Sequence, residues 1–361
     1  MSDVEDDDLG LAEEETQEEA GGEEGEAAEQ EEAENENLDE DLGDEEEKEL
    51  GEEEEQKEEE QKVPEKPLTD ETVAESLSLL CKTGDGLAHA YVRLDVHEKE
   101  LTNVSILKSF IHLRYVDVSK NNLKDISSLS ALTHMLTLKA DYNMLSCVKL
   151  EEMPFLQVAS FNFNKINSLE GVSHPMLEHL CLNNNEITEI TGLDEAKLAH
   201  LHTLELRGNK LKTTGGVHLP NLKNLFMAAN TIDKIDDLDS LQSLTTFHLR
   251  DNQLEDLDGF TDKLKLLQYI NLRGNNVTSV KEQAPKMACL PMLRALVLFE
   301  NPAHEEDEYR LEVLIALRKL ERLDKDEYSE EERNEAEEIY EQRLKDDAER
   351  EASGEDQQNE D

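Results

Sequence analysis

The 11 histidines and four cysteines are the residues of this chain best suited to nucleophilic, acid–base or metal chemistry. Their spacing suits none of it: no HExxH pair, C-x-x-C pair, phosphate-cradling glycine loop or nucleophile elbow occurs. Cys81, Cys147, Cys181 and Cys289 are scattered and read as reduced thiols rather than disulfides or ligands. No enzyme, cofactor, metal or small-molecule substrate is therefore expected. What does recur is recognition chemistry, in Arg207, Phe226, His248, Arg250, Tyr269, Arg273 and Phe299. His248 follows Phe226 by 22 residues, Tyr269 follows His248 by 21, and Arg273 follows Arg250 by 23. Guanidinium groups and aromatic faces anchor protein interfaces. Only an element that repeats at that interval can bring such residues together.

The chain supplies one. The phrase Leu201–Leu211, LHTLELRGNKL, has leucine at its first, fourth, sixth and last places and asparagine at its ninth. It recurs from Leu113, Met135, Leu156, Leu177, Leu201, Leu222, Leu244, Leu267 and Leu293, with an imperfect copy from Tyr91. All nine good copies keep the asparagine: Asn121, Asn143, Asn164, Asn185, Asn209, Asn230, Asn252, Asn275 and Asn301. The pattern resembles the leucine-rich-repeat consensus, in a short form of about 22 residues like the intracellular class. The fold class expected is an α/β leucine-rich-repeat solenoid with helical caps and acidic disordered tails.

The spelling has a physical reason. Alternating leucines put one face of a short strand into a core, and stacked copies pair their strands in parallel. The asparagine carboxamide can both donate to and accept from main chain where the chain turns, so stacked copies are expected to form a structural ladder. After it, steps of three such as Ile187–Ile190–Leu193, Ile232–Ile235–Leu238 and Leu254–Leu257–Phe260 suggest 3₁₀ turns on the convex side.

Charge divides the chain. Of the net −52, residues 1–60 hold 33 Asp and Glu against two lysines, and residues 330–361 hold 15 against four basic residues. A low-complexity acidic run without aromatic residues is expected to remain a solvated, self-repelling tail. A nucleic-acid mimic or a ligand for a basic partner are the functional alternatives. The acidic start without an apolar h-region, the lack of a ~20-residue apolar run and the negative charge argue against secretion, membrane insertion and nucleic-acid binding. A soluble cytoplasmic protein is expected.

The expected order is an acidic tail (1–66), an N-terminal helical cap with the imperfect repeat (67–100), a solenoid (101–302), a C-terminal cap (303–328) and an acidic tail (329–361). A helix over Leu68–Lys82, N-capped by Thr69 and closed by Gly84, would cover the first repeat. A stripe from Tyr309 through Leu320, with an edge turn at Leu320–Leu323, would cover the last. Residues 329–350 are dense in helix formers with only Ile339, Tyr340 and Leu344 apolar among their larger side chains. Such a helix could stand free, coil with a partner or fold back.

The third, fifth and seventh places point from the strands onto a concave wall. There Arg207, Arg250 and Arg273 align beside Phe226, His248 and Tyr269, with Phe299 at the end. Other proteins are the expected partners, and an acidic ligand, the chain's own tail included, would suit this surface.

Capping phrases add a narrower likeness. Residues 77–104 (LSLLCKTGDGLAHAYVRLDVHEKELTNV), 109–123 (SFIHLRYVDVSKNNL), 293–302 (LRALVLFENP) and 321–339 (ERLDKDEYSEEERNEAEEI) resemble a leucine-rich-repeat family found in the radial spokes of motile cilia and sperm flagella. The resemblance implies a non-enzymatic structural protein of the axonemal cytoskeleton, with radial-spoke subunits as partners and support of beating as its role. It carries over no site residues. Two other readings stay open: a phosphatase-regulator-like repeat subunit, disfavoured by the uneven repeat lengths, and an acidic histone-binding chaperone, disfavoured by a heavy tail that precedes the repeats.

Overall fold

The computed structural model describes residues 64–84 and 86–356. Most of the acidic stretch expected as the first tail, residues 1–63, and the last five residues lie outside the described part. The described chain forms one 13-stranded sheet whose strands lie side by side in sequence order. Ten parallel strands run from β2 (His89–Asp95) to β11 (Ala295–Val297), and most are three residues long, the third to fifth places of the phrase.

Alternation explains the core. Fourth-place residues such as Leu138, Leu180, Leu204 and Phe247 are fully buried, as are sixth-place residues such as Leu182, Leu206 and Leu249. Burying a side chain of this size contributes ~1.5–3 kcal/mol, and stacking makes the contribution continuous along the solenoid. Side-chain size varies along this core, with Ala140, Ala159 and Phe161 all buried in neighbouring repeats.

The nine asparagines are buried, and each spans two repeats. The Asn185 oxygen accepts from Ile166 N–H at 3.0 Å, while its Nδ2 donates to the carbonyls of Phe161, Leu182 and Asn183 at 3.0–3.2 Å. The same scheme recurs from Asn121, which bonds Leu101 N–H, to Asn301, which bonds Val277 N–H. The residue before each asparagine, the eighth place, lies in the left-handed region, from Lys120 (φ 55°) to Glu300 (φ 60°), as does Glu98 (φ 54°) in the imperfect first copy. Glycine stands there only at 208 and 274, where any Cβ would collide with the Asn184 or Asp251 side chain leaning over from the previous repeat.

The N-terminal cap differs from expectation. Helix α1 (Asp70–Ser76) is N-capped by Thr69, which accepts Thr72 N–H at 3.3 Å, and buries Val73. It then stops, and Leu77–Lys82 is strand β1, antiparallel to β2, rather than the continuation of a helix to Lys82. β2 offers an unpaired edge of main-chain donors and acceptors, and a strand satisfies it where a helix cannot. Only some convex segments are 3₁₀: Ser105–Ser109, Ser127–Ala131 and Leu238–Ser240 are, whereas no 3₁₀ helix forms across 187–193 or across 254–260, where there is only a turn at Asp258 and Gly259.

At the far end a short helix, α2 (Val280–Gln283), and helix α3 (Tyr309–Ala316) cover the core, and a small hairpin, β12 (Arg322–Leu323) and β13 (Asp326–Glu327), closes the sheet. Helix α4 (Glu330–Asp356) begins with a reciprocal cap: Ser329 N–H donates to Glu332 at 2.8 Å and Glu332 N–H to Ser329 Oγ at 3.2 Å. It folds back on the cap. Ala336 is buried, the Arg318 guanidinium lies 4.1 Å from the Tyr340 ring centroid, and Arg343 holds the buried Glu312 carboxylate through bonds of 2.9 and 2.7 Å.

Candidate functional site

The concave wall has two chemistries. In the later repeats the Arg207 guanidinium lies 4.5 Å from the Phe226 centroid. Phe226 and His248 follow at 4.7 Å, tilted by 35°, and His248 and Tyr269 at 5.1 Å, tilted by 40°. Four side chains from four repeats thus form one diagonal ladder. Register makes it: Phe226 and His248 are strand neighbours at the fifth place, with Tyr269 two residues earlier on the next strand. Burial, aided by the Arg207 charge, pushes the His248 imidazole down to about 4, so it is neutral at pH 7.

Arg273 and Phe299 form a second group. Arg273 is 5.6 Å from the Phe299 centroid and grips Glu300 through bonds of 2.7 and 2.6 Å. Phe299 continues edge-on to His304 at 5.1 Å, and His304 to Tyr309 at 5.0 Å. Arg250 joins neither ring group: its Nε lies 3.0 Å from the Asp251 carboxylate beside it. The seven residues singled out in the sequence therefore sit on one wall, as two ring groups with Arg250 between.

One charge escaped the sequence reading. Arg322 of β12 pairs in register with Ala295, which puts it at a third place beside the Tyr269 row, and its charge opposes the upward push that burial gives the Tyr269 phenol. The signal was present: Leu320-Glu321-Arg322-Leu323 spells the first four places of an eleventh phrase.

In the earlier repeats the seventh place is a hydrogen-bonding ladder. Ser119 Oγ accepts Asp141 N–H at 3.2 Å, Asp141 accepts Asn162 N–H at 2.7 Å, Asn162 accepts Asn183 N–H at 2.8 Å, and Asn183 accepts Arg207 N–H at 2.9 Å. The ladder ends where the arginines and rings begin. Beside it, burial first, then Glu205 and Asp141, push the Cys181 thiol up to about 12, so it is no nucleophile at neutral pH. Among the described residues, no group of three or more His, Cys, Asp or Glu could hold a metal ion. No helix among them is long and apolar enough to cross a membrane.

Stacked strands, a buried asparagine ladder and an open wall of side chains define a leucine-rich-repeat protein, a class whose domains mediate protein–protein interaction. The family model described as "Leucine-rich repeat" matches residues 204–353, and "Leucine Rich repeats (2 copies)" matches residues 175–217. Leucine-rich repeat-containing protein 23 of Homo sapiens is 51% identical over 285 residues, 79% of this chain and 82% of that protein. Its Bos taurus counterpart is 50% identical over 273 residues (76% and 80%), and that of Xenopus tropicalis 52% over 305 (78% and 81%). The chain belongs to the leucine-rich repeat-containing protein 23 family. Among solved structures, the crystal structure of a TLR13–ssRNA13 complex aligns with a TM-score of 0.50 at 23% identity, over 69% of this chain and 40% of that one, a likeness of fold.

Proposed function

We propose that this protein is a non-enzymatic scaffold of axonemal radial spokes, supporting the beating of cilia and sperm flagella, and that it docks a spoke subunit on the later half of its concave wall. The observation that carries the docking site is the Arg207–Phe226–His248–Tyr269 ladder, a fixed run of stacked faces open to the concave side. Arginine and aromatic side chains held by neighbours lose little freedom on binding, which is what makes an interface anchor strong. The spoke assignment draws its support from family membership and from the capping phrases that resemble the radial-spoke family. In this reading the protein works in the cytoplasm, on the cytoskeleton of the axoneme.

The test is recovery of identified radial-spoke subunits from motile-ciliated or sperm tissue. Intact protein is compared with the Arg207→Glu/Arg250→Glu/Arg273→Glu variant, whose fold is checked by circular dichroism. Recovery by the intact protein alone supports both scaffold and site. Equal recovery by both removes the concave site and keeps the scaffold. Recovery of a phosphatase or of histones without any spoke subunit overturns the scaffold reading.

A further inference from the structure

The repeats starting at Met135 and Leu156 carry a feature that the later ladder does not use. The eighth place of every repeat is left-handed, and outside these two repeats it is filled by glycine, alanine or polar and charged side chains. These two place Tyr142 (φ 52°) and Phe163 (φ 55°) there. A bulky ring in that region is strained, so its presence in consecutive repeats calls for a reason. The rings stack at 4.2 Å, 7° from parallel, and keep 49% and 43% of their surface exposed. The same two repeats do this again at the other end of the strand: His134 and Phe155, just before the first places, stack at 6.0 Å, and Phe155 is 51% exposed.

These edges are rigid. Tyr142 N–H bonds the Asn162 carbonyl and Phe163 N–H the Asn183 carbonyl, both at 2.8 Å, and the buried Asn143 and Asn164 follow directly. Just inside the Tyr142–Phe163 pair, at the seventh place, lies Asp141. It accepts from Ser160 Oγ at 2.6 Å and Asn162 N–H at 2.7 Å; the nearby cation is Lys139, two residues away, which acts on it through charge and forms no direct ion pair with it among the described residues. The nearby carboxylates Asp95 and Glu98 are bonded to His97 and Lys120, and Asp117 faces Lys139 across the strands. Burial, with Asp117 adding to it, outweighs the Ser160 and Asn162 bonds and the Lys139 charge and holds the Asp141 carboxyl above its ordinary range.

We infer that these two repeats form a second docking surface, for an extended arginine-bearing segment of a partner protein, with a guanidinium on Asp141 and its flanking residues laid against the aromatic edges. Aromatic faces are electron-rich, and a guanidinium can stack on them while its fork bonds a carboxylate. Residues 1–60 carry 33 acidic side chains against two lysines, so the chain as a whole attracts basic segments.

The test uses the full chain and a fluorescein-labelled octapeptide of alternating arginine and proline, followed by anisotropy at 0.15 M and 0.5 M salt, the higher salt screening the acidic stretch. Glycine is native to the eighth place at 208 and 274, so Tyr142→Gly/Phe163→Gly is expected to keep the circular-dichroism spectrum. Asp141→Asn keeps an oxygen for Asn162 N–H. Each variant is expected to bind about tenfold or more weakly at both salts, while Arg207→Glu binds like the parent. Undiminished binding by the first two variants, loss equally large in Arg207→Glu, or no binding by the parent at 0.5 M salt would each overturn the inference.

Discussion

The two halves of the concave wall are built on one repeat and put it to opposite uses. From Ser119 to Asn183 the seventh-place side chain accepts the backbone N–H of the next repeat, so its polarity is consumed inside the solenoid. From Arg207 onward that place holds Arg207, Ala228, Arg250, Arg273 and Phe299, none of which can accept. There the side chains stack on rings or pair along the rim instead. A repeat scaffold held by its asparagines and leucines leaves the seventh place free to serve either stability or recognition.

Substitutions at matched places should break or confirm that division, and the asparagines set the scale. Asn185→Ala and Asn230→Ala, one from each half, each strand a buried N–H and several carbonyls. Both are expected to lose about 2–4 kcal/mol in urea unfolding, equally in the two halves. The seventh place should not be equal. Asn183→Ala is expected to lose about 1 kcal/mol, through the Arg207 N–H and Glu205 bonds, whereas Arg250→Ala stays within ~0.5 kcal/mol. Equal losses at 183 and 250 would end the distinction.

Binding should reverse the order. Phe226→Ala interrupts the stacked ladder between Arg207 and His248 and is expected to weaken a recovered spoke subunit by about 2 kcal/mol in a titration. Asn183→Ala, one strand earlier, should leave that affinity within ~0.5 kcal/mol. A larger effect from Asn183→Ala would move the docking surface to the earlier half.

What could be read in the sequence was whatever each repeat does identically. Leucine places and the nine asparagines make the same contacts ten or nine times over, so their spacing alone carries the fold and puts the seven concave residues on one wall. Contacts made once were hidden. The apolar spacing of Val73, Leu77, Leu80 and Cys81 fits a helix face, and only the open edge of β2 decides that Leu77–Lys82 is a strand. Arg322 was obscured because a closing hairpin reuses half a phrase. Ser119, Asp141, Asn162 and Asn183 occupy the same outward place as any other wall residue, and nothing in composition says that their side chains reach the next repeat. The fold-back of α4 rests on Glu312 and Arg343, 31 residues apart, a pairing no local pattern announces.

Acid should separate the halves with opposite signs, the smallest effect and the most diagnostic. His248 has a folded value of about 4 against about 6.5 when unfolded, so between those values the unfolded chain binds the extra proton. Its contribution is intact above pH 6.5 and is lost as pH falls toward 4, by about 2 kcal/mol. Asp141 runs the other way, because burial raises its folded value above 3.8 and the folded chain takes up its proton first. Acidification through that raised value therefore favours folding at this site. Relative to the parent, His248→Phe should lose less stability between pH 7 and 4, and Asp141→Asn should gain at pH 7 and lose more on acidification. His174, buried and also shifted downward, remains in both variants and cancels in the comparison. Thermal midpoints at pH 7, 5 and 4 decide it. If both variants follow the parent curve, the late imidazole is solvated and the early carboxylate balanced, and the wall has one electrostatic character rather than two.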